Sequence, residues 1–486
     1  MAKRKLFYMA GGGLLMALVL LVVAWLIAER MIHKKIVERF RALPSSWKVG
    51  YRGVHADLFG GALYVDSLYG QPSPDSRMHG EMTIGKVSIY GISYLALARS
   101  RKHVKIGRVE LNRVRMEEGK RMAVEGDIEL DSVLVDDMDK PMDSSNVHIG
   151  AVKLALTHAT YTIPGAHAKL RLTDLVLDSR RRELRVDTIR LIPTVDKLEL
   201  GGINGHQMDF VEATGSGVAV EGLDVMGMLQ KRLTAEKISI RHSHIYVFRD
   251  RRLPMVTDVK PLPADYLKSL PLSIRVGVVK LEGGSFTYEE FPKKGNKTGV
   301  LKIERLSVDV RHLINRPEAG DPKYVIVTTT GSLMGSGSVN AVMKMPLHKG
   351  DPYKVEGAFH ELDVTSLNPS AENLGDIHLE SGMLNSLAFS FDMNEEKATG
   401  QILGEYHDLV VDKLRGKDKK KVDKVKSFFL KHLIIAKNKD KSLAVSKRTG
   451  KVDYKRDPER YFSYYMLHAL LVGVKSSFSL GFLLPG

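Results

Sequence analysis

Two patterns of hydrophobic and polar residues organise the chain of 486 residues. The first is an apolar run of 23 residues without a charge, from Leu6 to Ala28. As a helix rising about 1.5 Å per residue, it reaches roughly 34 Å, enough to cross a bilayer core about 30 Å thick. The second is an alternation that starts near Trp47 and predicts a body built mainly of β-strands, broken by glycine turns such as Gly60-Gly61.

The apolar run is predicted to be an uncleaved membrane anchor. A basic segment, Lys3 to Lys5, precedes it as in a signal peptide. However, the run is longer than a usual signal-peptide core. For cleavage after Ala28, Leu26 would occupy the −3 position, where a small residue is required. The flanking charges leave the orientation open, because three basic residues precede the run and five follow it: Arg30, Lys34, Lys35, Arg39 and Arg41.

The predicted organisation has five segments. Behind the anchor, Ile32, Ile36 and Phe40 recur at helical spacing until Pro44, which predicts a short stalk. Within the β-rich part, short helix candidates occur only at 91–101 and 223–233. The segments are a tail at 1–5, the anchor at 6–28, a helical stalk at 29–44, an elongated β-rich body at 45–411, and a basic linker with a helical cap at 412–486.

One sequence unit recurs within the body. Its shared form is apolar-Gly-x-Val-x-Leu, then a small or polar break and a further alternating strand. Copies start at Ile106, Ile149 and Val276, and a looser copy starts at Ala235. Such repetition is typical of a stacked, elongated array, here of antiparallel strands.

The apolar face of these strands needs a cover, and two solutions remain open. Two sheets can pack face to face as a sandwich, which the residues alone favour. Alternatively, one curved sheet can keep an apolar groove that solvates acyl chains. In the copy at Val276, the side chains that we assign to this face, as candidate lining of a lipid groove, are Val276, Val278, Leu281, Phe286 and Tyr288.

The net charge of +16 is concentrated near the C-terminus. Residues 411–460 hold 18 Lys and Arg against 7 Asp and Glu, a net of +11. Within this segment, apolar residues at helical spacing alternate with lysines, which predicts a basic amphipathic helix that either caps the sheet or lies on an anionic membrane. Its candidate residues are Val422, Lys424, Val425, Phe429, Lys431 and Leu433.

A last helix is predicted to start at Asp457 as N-cap, with Pro458 as its first residue. Its stretch from Tyr461 to Val474 has no charged residue unless His468 is protonated. The stretch is too short to cross a bilayer, and its apolar character all round predicts burial. We expect a plug or lid at one end of the β-body, with a membrane-dipping end as the alternative.

The chain has no Cys, which excludes disulfides, iron–sulfur clusters and cysteine nucleophiles. It also has none of the common metalloprotease, hydrolase, P-loop or dinucleotide-binding motifs, and no nucleic-acid-reading motif. Gly335 to Ser338 is predicted to be a hairpin turn. We therefore expect no enzyme, cofactor or nucleic-acid partner. The weak metal candidates, a strand pair and an acidic turn, are interpreted as surface residues: His242 and His244, and Asp136, Asp137 and Asp139.

Several motifs resemble the AsmA-like family of bacterial envelope proteins, in its Bacteroidota-type form. Leu58 to Leu63 reads Leu-Phe-Gly-Gly-x-Leu, and Ser381 to Phe389 reads Ser-Gly-x-Leu-x-x-Leu-x-Phe. Gly404 to Val411 reads Gly-x-Tyr-x-Asp-Leu-x-Val. After a Lys-rich linker come Arg456-Asp-Pro and, from Gly473, Gly-x-Lys-Ser-Ser. Both ends of the chain fit the family well, and the middle fits by strand character only.

The resemblance implies an inner-membrane anchor with a cytoplasmic N-terminus and a periplasmic, taco-shaped β-groove. It implies membrane phospholipids as the ligand and a role in outer-membrane lipid homeostasis. The chain is short for this family, so self-association or hand-over to another envelope protein would be needed to span the periplasm. The alternative is a non-enzymatic scaffold that binds other envelope proteins. A sensor is not expected, because five residues precede the anchor.

Overall fold

The computed structural model describes residues 47–57, 60–72, 80–93, 100, 102–137, 145–415, 421–422 and 446–478. The predicted tail, anchor and stalk lie outside these residues. Among the residues that are described, no helix is both long enough and apolar enough to span a membrane. The chain is mainly β with few helices, as its alternation predicts.

The strands in chain order are β1 (Trp47–Gly50), β2 (Gly53–Asp57), β3 (Ala62–Pro72), β4 (Glu81–Tyr90), β5 (Lys102–Glu118), β6 (Met122–Asp137), β7 (Val147–Ile163), β8 (Ala168–Asp178), β9 (Glu183–Pro193), β10 (Asp209–Glu221), β11 (Arg232–Asp250), β12 (Ser273–Phe291), β13 (Gly299–Ile314), β14 (Tyr324–Leu333), β15 (Gly337–Pro346), β16 (Tyr353–Asp363), β17 (Ile377–Met393), β18 (Lys397–Arg415), β19 (Lys421–Val422) and β20 (Ser446–Lys455). The helices in the described ranges are α1 (Lys197–Asn204), α2 (Val225–Leu229), α3 (Pro263–Ser269), α4 (Asn368–Gly375) and α5 (Phe462–Phe478), with a 3₁₀ turn at Val364–Leu367.

The chain divides into two compact units, one of residues 1–189 and 221–230 and one of residues 190–220 and 231–486. In the first unit, β3 to β8 pair as an antiparallel meander, and β1 and β2 both pair with β3. The predicted Gly60-Gly61 break is confirmed, since it joins β2 to β3. Valine, leucine and isoleucine side chains of β3 to β7 form the core of this unit.

The recurring sequence unit is structurally regular within each compact unit. In the first unit, the copies in β5 and β7 flank β6, and Ile106 and Ile149 both pair with Val133. In the second unit, the copies in β11 and β12 are direct neighbours, with Ala235 paired to Val276. Copies of the repeat are therefore in register in both units, across an intervening strand in the first and between neighbouring strands in the second.

The repeat contains a phase change in side-chain alternation. Ile106, Val109 and Leu111 are all buried in the same core, although strict alternation would place Ile106 on the opposite face from the other two. The repeat glycine lies at this change. A Cβ on Gly277 would lie 2.7 Å from the carbonyl oxygen of Glu236 on the neighbouring strand, which explains why a glycine occupies this position.

The break after the repeat's leucine is a β-bulge. The eighth residue of three copies has a left-handed backbone: φ is 56° at Arg113, 49° at His242 and 59° at Gly283. A bulge inserts one residue and changes which face the following side chains occupy. In β12 the pairing with β13 shifts at Gly284, on both sides of this residue.

The expectation of a purely antiparallel array is corrected by β11 and β12, which run parallel over their whole length. The connection from Asp250 to Ser273 contains α3 and returns the chain to the starting end of β11, as a parallel pair requires. The strands from β12 to β18 pair antiparallel in chain order, and β20 pairs with β18. The predicted turn at Gly335 is confirmed as the β14–β15 hairpin, in which Leu333 pairs with Gly337.

Replacing Gly283 by alanine should lower the free energy of unfolding by about 1–2 kcal/mol, because a Cβ is strained in the left-handed region. Gly202 in α1 is the matched control: it has an ordinary φ, and nothing lies within 4 Å of a Cβ built there. Gly202→Ala should instead stabilise by about 0.5–1 kcal/mol. Pulse proteolysis of the full-length variants in urea measures both. Equal effects of the two substitutions would contradict the bulge assignment.

Candidate functional site

The cross-strand register of the second unit produces a continuous apolar face. Following each pairing from one strand to the next gives rows of side chains that share a face. One row contains only apolar residues and one glycine, and Ile238 of β11 pairs with its first member. From β12 to β18 and then β20, this row is Val279, Val310, Val327, Met343, Val355, Phe391, Gly400 and Val452.

The neighbouring row on the same face has the same character, with one polar residue. It consists of Leu281, Val308, Thr329, Ala341, Gly357, Phe389, Ile402 and Gly450. The row between these two lies on the opposite face and is polar apart from one valine: Lys280, Asp309, Thr328, Val342, Glu356, Ser390, Gln401 and Lys451.

The polar face carries exposed ion pairs between adjacent strands. The Nζ atom of Lys354 lies 3.7 Å from Asp392, and that of Lys447 lies 2.9 Å from Glu405. Exposed pairs of this kind contribute little stability. They identify this face as the side of the sheet that meets water, and so identify the apolar face as the side that needs a cover.

Cover over the apolar face is unequal along its rows. In the core that α3 and α5 form with the sheet, Val355, Phe391 and Val452 are 4%, 2% and 0% exposed. At the other end of the same row, Val279, Val310 and Val327 are only half-buried. The core beneath the helices is built from one sheet together with α3 and α5, which is a different arrangement from the sandwich that the residues alone favoured.

Helix α5 lies on the sheet through small residues. A Cβ on Gly450 of β20 would lie 2.0 Å from the carbonyl oxygen of Gly473, so glycine is required for this close approach. Tyr465 and Ala469 are fully buried at the contact. The tyrosine hydroxyl donates to the carbonyl of Asn394 at 3.3 Å, and the Oγ of Ser476 accepts from a backbone N–H of β20 at 3.1 Å.

The structure corrects two expectations about this helix. Asp457 accepts from the N–H of Glu459 at 3.0 Å and so caps a turn that precedes the helix, which itself begins at Phe462. Nor is the helix buried all round, because Leu467 and Leu471 are 51% and 40% exposed. These two leucines face away from the sheet. Because the helix sequence is apolar throughout, it does not indicate which side meets the sheet.

A cluster of charged groups lies where β11 and β12 end. Arg249 donates two hydrogen bonds to Asp209, at 2.7 and 2.6 Å, and its guanidinium lies 5.0 Å from the ring centre of Tyr461 at the start of α5. The hydroxyl of Tyr288 donates to Glu290 at 2.7 Å, and burial raises the pKa of this tyrosine. The cluster therefore connects α5 to β11, while the helix packs along β18 and β20.

Four of the five predicted groove residues lie on the apolar face. Val276 is 1% exposed and pairs with Leu313, which packs against the helix-covered core. Past the bulge, Phe286 and Tyr288 return to the face of Leu281 and are half-buried like it. Val278 lies on the opposite, polar face, where it pairs with two charged residues, Lys237 and Arg311.

The prediction missed Val279, Val310, Val327 and Met343, which form the half-buried part of the apolar face. Val279 is the fourth residue of the repeat, and the recurrence of valine at that position was the available signal. The two-residue step from Val276 selected Val278 instead, because the phase change at Gly277 is a feature of the backbone.

Of the predicted basic helix, only Val422 falls among the described residues. It lies in β19, a two-residue strand in which it pairs with Leu414. The helix predicted to include it therefore does not begin there. The other five candidate residues lie outside the described ranges: Lys424, Val425, Phe429, Lys431 and Leu433.

The weak metal candidates lie apart from the apolar face. The Nδ1 atom of His244 is 2.8 Å from the hydroxyl of Ser285, and His242 occupies the bulge position. A hydrogen bond with His148 at 2.8 Å lowers the pKa of Asp136. In the described part of the chain, no group of three or more His, Asp or Glu could hold a metal ion, and Asp139 lies outside it.

The chain matches no protein-family model, no curated protein and no solved structure. Its candidate site therefore rests on the register, burial and charge of its own residues. The feature with the greatest extent is the apolar face of the second unit.

The packing of α5 should depend on pH through His468, which lies between Tyr454 and Tyr464. Burial, together with the positive charges of Lys475, Arg251 and Arg460, lowers its pKa to about 4, against a small opposing effect of Glu290. In an unfolded chain the pKa is about 6.5. Because the unfolded state binds more protons between these values, the helix should lose stability as the pH falls from about 6.5 to about 4.

Hydrogen exchange of the α5 amides, corrected for intrinsic rates, measures this effect. Protection should be lower at pH 4.5 than at pH 7, and His468→Phe should reduce the difference while keeping an aromatic ring at this position. A pH dependence that is the same in this variant would show that other groups cause it.

Proposed function

We propose that the second unit shields phospholipid acyl chains on its apolar face. The observation that carries the proposal is the half-buried stretch from β11 to β15, where two adjacent rows hold one polar side chain, Thr329. The opposite face is charged and accessible to water. A surface with this distribution suits a ligand that is apolar over its whole length.

The dimensions of this stretch favour a lipid. Five neighbouring strands at about 4.8 Å spacing give an apolar width of roughly 20 Å, which is several times the thickness of one extended hydrocarbon chain. Transfer of a methylene group from water to such a surface contributes about 0.8 kcal/mol, so a long chain gains several kcal/mol from partial contact. No specific hydrogen bond is needed for this gain, which fits a face without recognition groups.

The wider setting is part of the same proposal. The chain resembles AsmA-like proteins in the motifs at both ends, and its apolar N-terminal run suits an inner-membrane anchor with the β-body in the periplasm. In this arrangement a non-enzymatic groove receives phospholipid from the membrane and contributes to outer-membrane lipid homeostasis. Transfer to the outer membrane then requires self-association or another envelope protein.

Site-specific photo-crosslinking in cells tests the proposal on the full-length chain. A small diazirine amino acid at Val327 should form adducts with phospholipid, detected by radioactive phosphate and mass spectrometry. Thr328 is the matched control, because it is the next residue of β14 and is exposed on the polar face. Labelling should be several-fold stronger at Val327.

The outcomes separate the two candidate functions. Phospholipid adducts at both positions, or at neither, would refute a lipid-binding face. Adducts between Val327 and another protein, without lipid, would support the scaffold alternative.

Substitutions on β12 give an independent test. Leu281→Asp places a carboxylate on the apolar face, where its desolvation opposes acyl-chain binding. Val278→Asp adds the same carboxylate to the same strand, beside Lys237 and Arg311. Phospholipid that co-purifies with the full-length chain should fall strongly in the first variant and little in the second. Equal loss would indicate an effect of the mutation on folding.

A further inference from the structure

The surface beneath α5 has the same composition as the half-buried stretch. The row that begins with Val279 continues through Val327 and, without a charged residue, reaches Phe391 and Val452 under the helix. The neighbouring row ends at Ile402 and Gly450 in the same way. The boundary between the half-buried and the covered parts of the face therefore follows the position of the covering helices and not a change in the sheet.

The hydrogen bonds between α5 and the sheet include the one from Tyr465 to the carbonyl of Asn394, at 3.3 Å, the one from the Lys451 N–H to Ser476, at 3.1 Å, and one between the side chains of Tyr464 and Tyr454. Much of the remaining contact is apolar, through residues such as Ala469. Such packing is not specific to a helix, because it depends on the area of apolar surface that is covered.

The middle of the helix's outer side is apolar and has no charged residue, with exposed serines before and after it, Ser463 and Ser476. Leu467 and Leu471 lie one turn apart and are about half exposed. A helix with apolar residues on both sides loses little when it exchanges the sheet for a lipid environment.

The segment before the helix keeps its start in place: the guanidinium of Arg456 donates to the carbonyl of Lys260, and the Lys260 N–H donates to the carbonyl of Pro458. A displacement of the helix can therefore occur at its other end.

We infer that α5 covers a second acyl-chain site and competes with lipid for it. With the helix on the sheet, the half-buried part of the two apolar rows lies on β11 to β15. With the helix displaced, the apolar face also opens over β18 and β20, the strands along which α5 packs. This inference rests on the proposed function, and it adds that the usable length of the face is set by the position of α5.

Cross-linking α5 to the sheet tests the inference. Tyr454 and His468 have ring centres 5.8 Å apart, and the chain has no Cys of its own. The double variant Tyr454→Cys, His468→Cys would therefore hold the only two thiols, which a short bifunctional reagent can join. Each preparation of the full-length variant, joined or unjoined, is incubated in vesicles with phosphatidylethanolamine that carries a diazirine in its acyl chain.

Peptide mass spectrometry then locates the lipid adducts. In the unjoined protein, adducts should form in the peptides that contain Val327 and Ile402. Joining the thiols should lower labelling near Ile402 by about tenfold, because the fixed helix excludes the competing ligand, and leave labelling near Val327 unchanged. The unjoined double variant is its own control for the two substitutions.

A second variant acts in the opposite direction. Gly450→Val places a side chain against the carbonyl of Gly473 and should displace the helix. Labelling near Ile402 should rise several-fold, with labelling near Val327 as the measure of an intact sheet. The cross-linked variant thus fixes α5 on the sheet, and Gly450→Val displaces it.

The possible failures are distinguishable. Labelling near Val327 but not near Ile402, in both the unjoined protein and Gly450→Val, would refute a site beneath the helix. Labelling near Ile402 that cross-linking leaves unchanged would refute competition. Absence of labelling at either position would instead refute the proposed function on which the inference rests.

Discussion

The register of the second unit's sheet is the constraint on which its other properties depend. A slip of one residue between two strands would move every apolar side chain of one strand to the opposite face. The rows from β12 to β18 and β20 stay apolar because the bulges and phase changes of neighbouring strands coincide. In β11 and β12, His242 and Gly283 are next to each other in the parallel register, and both have a left-handed backbone. The aligned bulges keep Leu281 and Phe286 on one face.

Much of this architecture could be predicted from the sequence. Alternation gave the strand-rich body, and the repeat identified four strands whose copies lie in register within each unit. The turns at Gly60 and Gly335 were also correctly predicted, because local backbone preference determines them. These features share a short range: each depends on residues within about ten positions of one another.

The features that were missed depend on the backbone or on distant residues. Val278 was assigned to the apolar face because it lies two residues after Val276, whereas the side-chain alternation changes phase at Gly277 in the structure. His242 and Arg113 adopt a left-handed backbone without being glycine, so their bulges have no strong local signal. The parallel pairing of β11 with β12 depends on the course of a 22-residue connection, residues 251–272, and the unequal cover of α5 depends on which side meets the sheet.

The balance between apolar surface and cover connects this fold to its proposed use. One face of the sheet is charged and meets water. The apolar rows on the other face must therefore be covered by helices or by a ligand. Helix α5 packs along β18 and β20, α3 contacts β15, and α4 contacts β13 and β17, whereas Val279, Val310 and Val327 in the apolar rows remain only half-buried. A rigid partner would have to match the twist and bulges of five strands. We infer that a flexible hydrocarbon chain fits this surface better, because it conforms to the irregular face and gains free energy from every methylene that it removes from water.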